Sequence, residues 1–177
     1  MNGHSTLVVL VEDHPGVLTK VATLFRRRSF NIASLNVGHS EEPGVSRMTI
    51  VIEGTGGHIK QCEKQLYKLV EVLKVVDVTD AERVDKELAL VKVAASGADR
   101  SSVVGLAQAF DGEVVDVSND SVIVELTASP HTIERFLSLA DDFGILELSR
   151  TGLITMVRQD VRGAKTTARS AGSNHKE

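Results

Sequence analysis

Hydrophobic and polar positions fall into two rounds of one order: strand, helix, strand, strand, helix, strand. Residues 7–11 are an unbroken branched-aliphatic run, the pattern of a strand buried on both faces, and with their flanks they predict a first strand over residues 6–12. Asp13-His14-Pro15-Gly16 stops that strand and opens a helix over residues 15–28, with Val17, Leu18, Val21, Leu24 and Phe25 as its apolar stripe. A strand over 31–37, a polar loop at 39–44 and a strand over 47–53 follow, the last alternating with Met48, Ile50 and Ile52 on one face. Ile59, Cys62, Leu66, Leu69, Val70 and Leu73 then recur at helical spacing and predict a helix over 58–73, ahead of a strand over 75–79.

The second round predicts a strand over 88–94 and a helix, capped by Asp99 or Ser101, that runs through Phe110 and closes at Asp111-Gly112. Strands over 114–117 and 122–126 flank a hairpin turn at 118–121. A helix over 130–141 carries Ile133, Phe136, Leu137 and Leu139, and a final strand over 146–157 is open to interruption at Thr151-Gly152. Two βαββαβ rounds predict an α+β chain of two small ferredoxin-like sandwiches, residues 1–82 and 83–159. Residues 160–177 lack periodicity and large apolar residues, which predicts a disordered tail.

Composition narrows the function. Of 177 residues 42% are hydrophobic but only 3% aromatic, with no Trp, so the core must be Val, Leu and Ile. Residues 161–177 carry a net +3, which leaves −7 on residues 1–160 out of an overall −4. An acidic body argues against a nucleic-acid or membrane-surface partner. Cys62 is the only cysteine, excluding an intramolecular disulfide and a cysteine-rich metal site. It lies on the apolar stripe of its helix, where a small core hydrophobe is expected. With no charged-then-apolar leader and no membrane-length apolar run, the expectation is a soluble cytoplasmic protein.

Catalytic signals are missing. The six histidines (His4, His14, His39, His58, His131, His175) are scattered, with no metal-ligand spacing on one helix. Gly54-Thr55-Gly56-Gly57 lacks a following Gly-Lys-Ser/Thr and reads as a turn. Glu41-Glu42 reads as a solvated pair, and Arg26-Arg27-Arg28 either as a solvated helix end or as a contact for an acidic surface. The expectation is a chain with no catalytic residues and no metal site.

One stretch does suggest chemistry. Pro15 suits the first helical position, and Gly16 lets a ligand approach the backbone where first-turn amides lack partners and the helix dipole is positive. A small carboxylate suits that place. Pro15 and Gly16 could equally be good turn residues, and Asn31 could merely satisfy backbone after the helix.

Residues 7–35, Ser46-Arg47-Met48-Thr49-Ile50, the run from Lys64 to Val70 and the run from Glu87 to Val93 together resemble the small regulatory subunit of acetolactate synthase, over about residues 5–158. The resemblance implies that the first unit is an ACT domain, that ACT domains pair as a homodimer, and that valine or another branched-chain amino acid binds at that interface. It implies effector contacts from Asp13, Gly16, Val17 and Leu18 in the turn, facing Asn31, Ile32 and Gly38 of the neighbouring chain's second strand. It further implies a catalytic large subunit as partner, with thiamine diphosphate, Mg and FAD held there and none here. The expected role is activation of that subunit and feedback inhibition by valine. The alternatives are a free-standing amino-acid sensor acting on another protein, or an activator without valine response. Three positions depart from the family pattern: Asp13 where Asn is common, Gly38 where Ala is common, and Ser29 where Gly is common after the first helix.

Overall fold

The computed structural model describes residues 3–54 and 57–158, with His58 described by its backbone alone. Within them the chain runs β1 (His4–Glu12), α1 (Val17–Arg27), β2 (Ile32–His39), β3 (Val45–Glu53), α2 (Gly57–Leu66), β4 (Val72–Asp77), β5 (Arg83–Ala94), α3 (Asp99–Ala109), β6 (Glu113–Val117), β7 (Ser121–Ala128), α4 (Pro130–Ala140), β8 (Ile145–Arg150) and β9 (Ile154–Val157). The first sheet has the order β2-β3-β1-β4 and the second the order β6-β7-β5-β8, the same arrangement twice, all pairs antiparallel. The short β9 joins the second sheet by pairing with the start of β5, Arg83↔Val157 through Lys86↔Ile154.

Each sheet buries one face under two helices. Leu7, Val9 and Val11 of β1 and Met48, Ile50 and Ile52 of β3 meet Val21 and Phe25 of α1 and Ile59, Cys62 and Leu66 of α2. Val91 and Val93 of β5 and Val122 and Val124 of β7 meet Val103 and Ala107 of α3 and Ile133 and Phe136 of α4. The opposite faces differ. In β1, Thr6 and Val8 are also buried, so the continuous apolar run is explained by cover on both sides. On this side β2 and β3 meet the second unit: Arg47 Nη2 donates to the Thr155 carbonyl at 3.0 Å, and the Leu153 amide donates to Ser34 Oγ at 3.0 Å. Gly152, with φ 79°, passes so close to β2 that a Cβ there would lie 2.7 Å from Ser34 Oγ.

Helix ends follow local chemistry. Ser29 (φ 55°) and Asp111 (φ 56°) are the left-handed residues after α1 and α3. After α1 the Phe30 amide donates to the Phe25 carbonyl at 3.1 Å and the Ser29 amide to the Arg26 carbonyl at 3.2 Å. After α3 the Gly112 amide donates to the Ala107 carbonyl at 2.8 Å, and the Asp111 amide to the Gln108 carbonyl at 3.1 Å. This is the Schellman closure that an αL residue allows, and the Phe25–Phe30 edge contact completes the first. Ser129 caps α4 by accepting from the Thr132 amide.

Several expectations need correction. The helical spacing of Leu69, Val70 and Leu73 predicts a helix to residue 73, but α2 ends at Leu66 and Val70 is 80% exposed. Strand pairing prevails there: Val72 pairs with Val11 to start β4, and Tyr67 Oη bridges the amide and carbonyl of Val75. Leu139 lies on the open side of α4. Neither Asp99 nor Ser101 caps α3, whose N-cap position is Ala98. The last strand is broken at 151–153 into β8 and β9, at the Thr151-Gly152 position that the sequence marks. The tail expected over 160–177 lies outside the described residues. Among the described residues, no helix is long and apolar enough to cross a membrane and no cluster of His, Cys, Asp or Glu could hold a metal ion.

Candidate functional site

The turn between β1 and α1 is built by its sequence. Val17 is buried and anchors the helix start, while Leu18 points outward, 45% exposed. Gly16 is the N-cap in the left-handed region at φ 92° and ψ −12°, with no side chain capping α1. The first-turn amides therefore have no side-chain cap at the positive end of the helix dipole, and the Val17 amide makes only a long 3.5 Å bond to the His14 carbonyl. A Cβ on Gly16 would meet nothing within 4 Å, so the space before these amides is open.

Asp13 ties this turn to the β2–β3 hairpin. Its amide donates to the Gly44 carbonyl at 2.8 Å, and its carboxylate Oδ2 lies 2.9 Å from His39 Nδ1. His14 turns back, its Nε2 at 3.1 Å from Glu12 Oε2. The carboxylate of Asp13 thus has an imidazole beside it, a contact invisible in a sequence where the two residues are far apart. His39 is the site neighbour that sequence reasoning missed; the antiparallel hairpin closing at Gly44 is the only signal that could have found it.

Register divides the remaining candidates. Gly38 pairs with Arg47 and His39 with Ser46, while Glu12 pairs with Val45, so this end of β2 adjoins the turn. Ile32 pairs with Ile52, which pairs with Ser5 at the opposite end of β1. The Asn31 carbonyl accepts from the Glu53 amide at 3.1 Å. Within one chain, Asp13, Gly16, Val17, Leu18 and Gly38 gather at one end of the sheet, and Asn31 and Ile32 stand at the other. β2 is the edge strand, its outer side unpaired among the described residues.

A second charge cluster is structural. Glu87 is buried in the second unit and accepts two hydrogen bonds from Arg150, from Nε and Nη2, each 2.8 Å, while Arg150 Nη1 reaches Glu134 at 2.6 Å. The bonds Arg150 donates to Glu87, reinforced by Glu134, raise its pKa against the lowering effect of burial. Burial, then the nearby Glu63 charge, pushes the Cys62 thiol up to about 12, which makes it a poor nucleophile.

Comparison with known proteins adds an independent line. Residues 7–74 match the model of the AHAS small subunit-like ACT domain, and residues 86–159 match that of the small subunit of acetolactate synthase. A probable acetolactate synthase small subunit of Archaeoglobus fulgidus is 48% identical over 153 residues, covering 86% of this chain and 96% of that one. The acetolactate synthase small subunit of Mycolicibacterium smegmatis is 42% identical over 153 residues, with coverages of 86% and 90%. The crystal structure of the acetolactate synthase small subunit from Thermotoga maritima superposes with a TM-score of 0.82 at 41% identity, covering 90% of this chain and 99% of that one.

Proposed function

We propose that this chain, which belongs to the family of acetolactate synthase small regulatory subunits, activates the catalytic large subunit and makes it sensitive to a branched-chain amino acid, valine first among them. The chain supplies no catalytic group, and thiamine diphosphate, Mg and FAD belong to the partner. It works in the cytoplasm as a homodimer joined through the first unit, the ACT domain, which also binds the effector.

The observation that carries the reading is the split of the site along β2. Two β2 edges paired antiparallel, centred near Leu35, put Asn31 and Ile32 of one chain beside Gly38 and the turn of the other. A site incomplete in one copy becomes complete in two. The uncapped amides after Gly16 receive the effector carboxylate. The Asn31 side chain and the Asp13 carboxylate offer acceptors for its ammonium, and Leu18 and Ile32 an apolar wall for its side chain. His39 Nδ1 lies 2.9 Å from Asp13 Oδ2, so the imidazole orients this carboxylate toward the turn. An effector bound across two chains stabilises the dimer by linkage and so can bias what the dimer binds.

The test is acetolactate formation by the cognate catalytic subunit, with and without this protein, across a valine titration. Stimulation that valine reverses is the expected result. Stimulation without a valine response would sink the effector half of the proposal and keep the subunit assignment. No stimulation and no complex would favour a free-standing sensor.

A further inference from the structure

Resting on the activating role proposed above, we propose that a groove between the two units, floored by the β5–β9 ribbon, is where the catalytic subunit docks, through an apolar segment carrying Asp or Glu. The groove encloses about 880 Å³ between β2–β3 and this ribbon. Val84 pairs with Met156 and Lys86 with Ile154, so these four side chains share one face of the ribbon. Three are apolar and exposed, Met156 at 69%. A contiguous apolar patch with a charged rim marks an interaction site rather than ordinary surface.

The rim has one sign. Among the described residues Arg47, Lys86 and Arg158 line the groove and no Asp or Glu does, although residues 1–160 carry a net −7. Asp85 on the ribbon's other face is engaged by Arg83 and by Thr155 Oγ1. Concentrating cations around exposed aliphatics in an acidic body selects an occupant that is apolar and acidic.

Three other occupants fit less well. Small-ligand sites bury about 70–90% of the ligand, and a groove whose apolar floor is this exposed encloses too little. The chain's own residues 161–177 are net positive, so the rim repels them. A second copy bringing the same face would set two cationic rims against each other, and one offering a different patch would make a head-to-tail contact that grows open-ended unless it closes into a ring. The catalytic partner remains. The groove also reaches Gly38 and His39, the strand end held to the effector turn through Asp13, so an occupant would sense that turn.

The experiment titrates the full-length protein into the catalytic subunit and reads the concentration giving half-maximal activation, with complex formation followed by sedimentation. Lys86→Glu/Arg158→Glu and, separately, Met156→Asp change exposed groups only, and valine binding to each variant alone, by calorimetry, checks that the ACT dimer is intact. The expected result is a rise of about tenfold or more in that concentration for each variant, with valine affinity unchanged. Variants that activate at the wild-type concentration would overturn the proposal, including the case where they change only self-association or the binding of a small anion. If wild type itself neither binds nor activates the catalytic subunit, the activating role fails, and the docking surface with it.

Discussion

Replacing Gly16 separates the turn's part in binding from its part in folding. Gly16 holds φ 92° and ψ −12°, and a Cβ there meets nothing within 4 Å. Gly16→Ala therefore costs the fold only the conformational penalty of an L-residue held left-handed, about 1–2 kcal/mol. A domain with about 5–15 kcal/mol to spare survives that, with Tm lowered by roughly 4–8 °C per kcal/mol for 60–100 residues. Binding should suffer more. The added methyl stands in the open space before the first-turn amides, and each charge-assisted hydrogen bond lost there is worth about 1.5–3 kcal/mol. Valine affinity should fall by roughly 10- to 100-fold, and Gly16→Asp, which adds a like charge, should abolish the response. Calorimetry of valine binding, thermal melts and activation without valine separate the three effects. Asn31→His should reproduce the loss from the other end of β2. Wild-type valine inhibition of Gly16→Asp would refute the site assignment outright.

Two further predictions concern the cores. Cys62, with its pKa pushed from 9.0 to about 12, should resist iodoacetamide at pH 8 in the native protein and react fully in urea. Its folded pKa exceeds the unfolded one, so the stability it contributes is complete below pH 9 and lost as pH rises toward 12; the difference between wild type and Cys62→Ala in urea midpoint should shrink over that window, and a constant difference would contradict it. Glu87→Ala leaves Arg150 without two of its bonds, but Arg150 keeps Glu134 and its side chain stays 28% exposed, so the loss should be about 2–3 kcal/mol rather than that of a sealed pair. Glu87→Leu with Arg150→Leu should recover most of it in chemical denaturation, and a double variant as unstable as the single would show that the pair itself sustains the second unit.

The strands of both sheets were legible because their patterns are strong. The unbroken run at residues 7–11 announced cover on both faces, and the alternation of β3 placed Met48, Ile50 and Ile52 on the helix side. What was not legible came from long-range contacts. The apolar spacing after Leu66 continues a helix on paper, yet the chain turns at 67–71 so that Val72 to Asp77 can pair with β1. The start of β5 carries charged residues that do not read as strand, and only β9, 68 or more residues later, makes them one. For the same reason the Asp13–His39 contact and the groove over Arg47 could not be derived from spacing. Gly16 was legible as a residue without a side chain at the helix start, but its left-handed backbone was not, and α1 begins at Val17 rather than at Pro15.

The asymmetry between the two sheets bears on how an effector signal would leave the ACT domain. The helix-free face of the first sheet is occupied by the loop and ribbon of residues 151–158, so β2 and β3 contact the second unit directly. The turn proposed to bind the effector is fastened to the β2–β3 hairpin by the Asp13 amide and carboxylate. A change at the turn thus has a short physical route, through β2–β3, to Arg47 and the groove it lines. If valine inhibits by weakening contact at that groove, linkage requires the catalytic subunit to weaken valine binding by the same factor. Valine affinity for the dimer alone would then exceed its affinity for the complex. Equal affinities would mean that valine alters catalysis within an intact complex, and that the groove holds the partner without carrying the signal.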